Sequence, residues 1–211
     1  LALSGLEPHT PVVIVGNGPR GNGEEGRLAW TLIYLGFQDV QVGVIEMFKR
    51  SMTPNASAPA KNSPVWPVNP RPELQVSEAE FRKLAMDPKG RLESRTWIID
   101  VRTEREYANK TGGKNAPDIN ALHIPWTEFY NSKGRPDERV KAKLEAVGIK
   151  PSDRVICISN KGVRSGAASS GGIGTQIRRQ TLASCSAVEG NVLTEANPRS
   201  AGGTGIIVVG S

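Results

Sequence analysis

The sequence predicts an α/β fold, a parallel sheet with helices on both faces, and three observations carry that expectation. Short apolar, β-branched runs alternate with capped amphipathic segments along 74–168, the order expected when each strand returns through a helix. One strand pattern, 96–101, runs directly into a capping box, and another, 155–158, opens into a glycine-bearing loop. The third observation is an internal repeat. Gly5-Leu6-Glu7-Pro8-His9-Thr10-Pro11-Val12-Val13-Ile14-Val15-Gly16-Asn17 aligns without a gap on Gly148-Ile149-Lys150-Pro151-Ser152-Asp153-Arg154-Val155-Ile156-Cys157-Ile158-Ser159-Asn160, Gly5 meeting Gly148 at an offset of 143.

Each copy of the repeat reads as a glycine, a turn bearing proline, four apolar residues of a buried strand and then a polar loop. In the first copy the loop 16–26 holds five glycines. It lacks the spacing of a phosphate-binding loop, and Glu24 and Glu25 stand where a phosphate would go, so nucleotide binding is not expected. A helix over 27–36 follows, with Leu28, Leu32 and Leu35 on one face and Trp30 and Tyr34 beside them as core; a strand over 40–42 and a closing helix over 45–49 complete this part. The segment 51–73 carries six prolines and reads as a semi-extended linker.

Beyond the linker, Ser77-Glu78-Ala79-Glu80 is a capping box ahead of a helix through about residue 85. The central strand 96–101 ends in Asp100-Val101-Arg102 and passes into a second box, Thr103-Glu104-Arg105-Glu106. A short strand over 121–126 is stopped by Pro125. Asp137 caps a helix whose Val140, Leu144 and Val147 fall at helical spacing, and Gly148 supplies its left-handed exit. The strand 155–158 then delivers the loop to its C-terminal end, where open parallel sheets bind ligands. Two similar units are therefore expected: 1–50 as the C-terminal half of a first copy, whose missing start would fall about 70 residues before Leu1, and 74–168 as a second. The tail 169–211 breaks the pattern. It is low in complexity, has no sustained period up to residue 205, and reads as a disordered or non-native extension, such as a shifted reading frame, with only 206–209 resembling a strand.

Composition narrows the function. The chain has 211 residues, 37% hydrophobic and 23% charged, which suits a globular protein. Its net charge of +6 comes from scattered basic residues with only 5% aromatics, which argues against nucleic acid as a partner. Cys157 and Cys185 have no metal-ligand spacing with His9 or His123, so no metal or other cofactor is expected. No apolar run reaches membrane-spanning length, and a cytoplasmic setting is expected.

Asp100-Val101-Arg102-Thr103 with Glu106-Tyr107, then Ala121-Leu122-His123-Ile124-Pro125-Trp126, then the strand and Gly162-Val163-Arg164-Ser165 occur in this order. Together they resemble the rhodanese family of sulfurtransferases over about 74–168 and, through the internal repeat, over 5–50, as in tandem members. The resemblance implies a rhodanese-like parallel sheet, here as one partial and one nearly complete copy. It also implies a loop that holds a small anionic sulfur compound such as thiosulfate or mercaptopyruvate. In the family the persulfide-carrying cysteine stands three residues before the loop glycine. That position is Ser159 here, and Gly16 in the first copy.

A serine hydroxyl has neither a thiol's accessible pKa nor its capacity to bond to sulfur. The expectation is therefore a homologue that does not carry a persulfide, with Ser159, Asn160, Lys161, Gly162, Val163, Arg164 and Ser165 as its anion-binding loop. The alternative is a non-catalytic module for anion sensing or protein interaction. Cys157, inside an apolar run, is expected to be packing rather than nucleophile; His123 is expected to be structural, and Asp100 and Arg102 an ion pair at a strand end. Arg164 is expected to contact the anion, while Lys161 could equally be solvated.

Overall fold

The computed structural model describes residues 6–48, 65–108, 119–134, 137–160, 162–169, 185–188 and 206–208. Most of the expected linker, Lys161 and most of the tail beyond residue 169 lie outside the described residues. In chain order the elements are β1 (Val12–Gly16), α1 (Glu24–Tyr34), β2 (Val40–Val44), α2 (Ile45–Phe48), β3 (Gln75–Val76), α3 (Glu78–Met86), α4 (Pro88–Glu93), β4 (Thr96–Asp100), α5 (Glu104–Ala108), β5 (Leu122–His123), α6 (Glu138–Ala146), β6 (Arg154–Ile158), α7 (Val163–Ala168), β7 (Cys185–Val188) and β8 (Ile206–Val208).

These form two sheets, β2-β1-β8 and β3-β7-β6-β4-β5. Every pairing in the larger sheet is parallel, with β4 and β6 in register from Thr96↔Arg154 to Asp100↔Ile158. In the smaller sheet β1 pairs parallel with β2 and antiparallel with β8. The two faces of the larger sheet bury alternate residues. Ile98, Ile156 and Ile158 pack with Phe81 of α3 on one side. Ile99, Val155 and Cys157 pack with Val140 and Leu144 of α6, Trp126, Phe129 and Ala167 of α7 on the other. Helices therefore cover both faces, as the sequence predicts.

The caps form where the sequence puts them. Ser77 Oγ accepts from the Glu80 amide at 3.2 Å, and Thr103 and Glu106 bond reciprocally, the Thr103 amide to Glu106 Oε2 at 3.0 Å and the Glu106 amide to Thr103 Oγ1 at 3.4 Å. The Asp137 side chain accepts from the Arg139 amide at 2.9 Å. Two expectations need correction. The first helix begins at Glu24, not 27, because Gly23 takes the left-handed conformation (φ 89°) that turns the chain into it. The stretch 169–205, expected to be disordered, contains β7, which lies parallel to β6 as β2 lies parallel to β1. The demand comes from the sheet: β6 and β3 would otherwise present unpaired backbone groups to each other's edge, and any extended segment satisfies them.

The repeated segments also match in detail. The Glu7 amide donates to Thr10 Oγ1 and the Lys150 amide to Asp153 Oδ2, while the Thr10 and Asp153 amides return to the carbonyls of Glu7 and Lys150. Leu6 and Ile149, Val12 and Val155, and Ile14 and Cys157 are buried in corresponding places. The described end of the proline-rich segment is not free of the first core: Trp66 packs edge-on against Phe37 and donates to the Leu6 carbonyl at 2.7 Å.

The two halves meet where α1 crosses α7. A Cβ on Gly26 would sit 2.9 Å from Ala167 Cβ and closer still to its Cα, and one on Gly166 would sit 2.9 Å from Arg27 Cα. Backbone faces backbone, so a neighbour cannot yield by changing rotamer. Gly26→Ala should therefore lower stability in urea unfolding by about 2 kcal/mol through overpacking, despite alanine's helix propensity advantage of about 1 kcal/mol. A variant as stable as the original chain would show that the helices part at no cost.

Candidate functional site

The loop begins where β6 ends. Ser159, just past the strand, is partly buried, and Gly162 takes φ 71° to start α7. The Ser159 hydroxyl accepts from the Ser165 amide at 3.2 Å and donates to Ser165 Oγ at 3.3 Å; Ser165 Oγ in turn donates to the Gly162 carbonyl at 3.1 Å. Ser165 is 0% exposed. Both hydroxyls are thus committed within the loop, and the hydrogen bonds of Ser159 run to α7 and not to a base. Val163 opens the helix, half-buried. Lys161 lies outside the described residues.

Glu106, the closing residue of the second capping box, holds both flanks of the loop. Its carboxylate accepts from Asn160 Nδ2 at 3.1 Å and forms an ion pair with Arg164 Nη1. Thr103 adds an amide and a hydroxyl bond at 3.0 and 2.6 Å. Burial alone would raise the Glu106 carboxyl, but the hydrogen bonds from Arg164 and Thr103 outweigh it and hold it at about 2. Arg164 therefore already has an anionic partner supplied by α5.

Sequence reasoning did not find Glu106 as a loop contact, although the capping box flagged the residue; what was missing was the fold that sets α5 beside α7. It also missed Arg27, which arrives from the first half. The Arg27 Nη1 lies 3.1 Å from where a Cβ on Gly162 would be, and its guanidinium rests 4.9 Å above the Trp30 ring. Burial pushes its pKa down. A second cation thus borders the loop, and no spacing within the loop's own motif points to it.

The remaining candidates fall elsewhere. Cys157 is 0% exposed within the apolar cluster of α6 and α7. His123 stacks on Tyr107 with centroids 4.0 Å apart, bonds the Arg102 carbonyl at 3.0 Å and faces Glu104 at 3.3 Å. Arg102 grips buried Asp100 through Nε at 2.9 Å and Nη2 at 2.6 Å, the strand-end ion pair expected. Among the described residues no group of three His, Cys, Asp or Glu side chains could hold a metal, and no helix is long and apolar enough to cross a membrane.

The pH response of the Glu106 clamp follows from its sign. A carboxyl whose folded pKa is about 2 against an ordinary 4.5 contributes stability that is fully present above about pH 5 and lost as pH falls toward 2. Glu106→Gln should cost about 1 kcal/mol at pH 7, after allowance for solvent screening of this partly exposed pair, and should flatten the acid limb of a stability–pH profile between about pH 5 and 2. An unchanged acid limb would show that the clamp does not contribute.

No family model matches the sequence, and no curated protein is significantly similar to it. Solved structures are. The 3-mercaptopyruvate sulfurtransferase SseA from Escherichia coli, described as having the rhodanese fold, superposes with a TM-score of 0.63 at 16% identity, over 88% of this chain and 68% of its own. EanB in complex with ergothioneine, covalently linked with a cysteine persulfide, gives 0.69 at 18% identity, over 92% of this chain and 50% of EanB. A probable thiosulfate sulfurtransferase gives 0.54 at 20% identity, over 85% of this chain and 67% of its own. The chain thus spans between half and about two thirds of the length of these proteins. At these identities the likeness is one of fold: this chain has the rhodanese fold.

Proposed function

We propose that this protein is a tandem rhodanese-like sulfurtransferase homologue whose second loop binds a small anionic sulfur compound of the thiosulfate or mercaptopyruvate class without carrying a persulfide. In this reading 1–50 is the C-terminal half of a first domain, 51–73 a linker, 74–168 the second domain and 169–211 an added tail, in a cytoplasmic setting. One observation carries the reading: the residue at the loop's nucleophile position, Ser159, is a hydroxyl bonded to the Ser165 amide and hydroxyl. Persulfide transfer needs a thiolate that attacks the sulfane sulfur of thiosulfate, forms an S–S bond and expels sulfite; an acceptor such as cyanide then takes the sulfur and restores the thiolate. Ser159 can neither ionise near neutrality nor hold that sulfur. The second reading is a non-catalytic module for anion sensing or protein interaction; its protein-interaction form is favoured by the engagement of Arg164 and Asn160 with Glu106, which an incoming anion would have to displace.

In a thiosulfate-to-cyanide sulfur-transfer assay the chain should show no turnover above a protein-free blank, whereas Ser159→Cys should gain the mass of one sulfur atom when incubated with thiosulfate. Turnover by the original chain that disappears in Cys157→Ala would place the nucleophile elsewhere and overturn the reading. The anion-binding part is tested separately. Sulfate or thiosulfate should raise the thermal midpoint slightly, by mass action on the folded state, and Arg164→Ala should remove most of that rise at matched ionic strength. An equal response in the two proteins would make the loop a scaffold feature only.

A further inference from the structure

The first-copy loop contains an occupant of its own. Gly16, which the repeat pairs with Ser159, lacks a side chain, and the Glu25 side chain folds over it. A Cβ placed on Gly16 would meet Glu25 Cβ at 2.8 Å and Glu25 Cδ at 2.6 Å, with Oε2 closer still. Glu25 is 5% exposed. It sits in the first turn of α1, beside its own amide and the Gly18 amide, and burial pushes its pKa up. Asn17-Gly18-Pro19-Arg20 forms a short 3₁₀ turn that presents the Gly18 amide inward, and Gly18 is itself at φ 58° with Val44 against it.

The equivalent place in the second copy is arranged alike, with a different source for the oxygen. Gly23 and Gly162 are the left-handed residues that open α1 and α7. In the second copy the side chain of residue 159 turns its oxygen to an amide of the helix's first turn. In the first copy residue 16 offers nothing, and a carboxylate two residues after the left-handed glycine takes its place. Counting from those glycines, Glu25 falls where Arg164 falls in the second copy, so the charge at this position is inverted. The groups around the carboxylate are Glu24 on its own helix and Tyr130 from the other half, whose hydroxyl is already donated to the Ala167 carbonyl at 2.7 Å.

From this geometry we infer that Glu25 is the built-in occupant of the first loop: its carboxyl group fills the place of the missing residue-16 side chain and closes this copy to external carboxylates and similar anions. The inference rests on the repeat reading given under the proposed function, but not on the sulfur chemistry of Ser159. The two loops then differ in the source of their carboxyl group: α5 supplies Glu106 to Arg164 in the second copy, and α1 supplies Glu25 in the first.

The test is replacement of the carboxylate from solution. Glu25→Ala should have a lower thermal midpoint than the original chain, and formate or acetate should raise that midpoint at least about threefold more than they raise the original's, at ionic strength matched with sodium chloride. The difference should persist on an Arg164→Ala background, which separates this site from the second loop. Equal responses of Glu25→Ala and the original chain, or equal midpoints without carboxylate, would overturn the inference. Should Glu25→Ala not fold, Gly16→Ser decides. With Glu25 present it should be markedly destabilising, because the new side chain and the carboxylate compete for one volume, and a Gly16→Ser variant as stable as the original chain would overturn the inference equally.

Discussion

The crossing of α1 over α7 is the contact on which the rest of the arrangement depends. Gly26 against Ala167, and Gly166 against Arg27, bring two helix backbones together with no side chain between them. At that separation neither glycine could carry a side chain without pushing the helices apart. Everything at the second loop follows from it. α7 begins at Gly162, and the same crossing that buries Ser165, Ala167 and Ala168 carries Arg27 to the loop's edge. Tyr130 ties the crossing to the second core by donating to the Ala167 carbonyl.

Electrostatics then sets the loop's state. Arg164 and Asn160 converge on Glu106, and Glu106 is fixed by the capping box that begins α5. A residue that serves as a helix cap in the sequence thus doubles as a brace for a loop nearly sixty positions away. The economy is structural: one carboxylate satisfies a helix terminus, neutralises a guanidinium and orients an amide side chain, with partners that outweigh its own desolvation.

Much of this was readable from the residues in order. The strand runs 96–101 and 155–158 are apolar because they are buried on both faces, and their helices announce themselves through Ser77, Thr103 and Asp137, whose side chains have a local task that any fold would demand. The repeat was readable for the same reason: Thr10 and Asp153 perform one local turn bond at equivalent positions. Contacts between distant segments were not. Glu25 lies in a glycine-rich stretch that reads as loop and Arg27 opens the helix expected over 27–36, and nothing local tells that Arg27 reaches Gly162 while Glu25 covers Gly16. β7 escaped because Cys185-Ser186-Ala187-Val188 has no strand signature of its own; its place is set by the edge of β6. The two glutamates at the start of α1 argue against an incoming phosphate, yet the sequence does not reveal that one of them turns inward.

The hydroxyl at position 159 has a further consequence, concerning durability. A loop thiolate gains sulfur chemistry at the expense of vulnerability, since peroxide carries it through sulfenic to sulfinic and sulfonic acid and the last steps are not reversed in most proteins. Ser159 cannot enter that sequence, and Cys157 is sealed in the core at 0% exposure. The loop and its hydrogen-bonded serines should therefore keep one covalent state in reducing and oxidising surroundings alike.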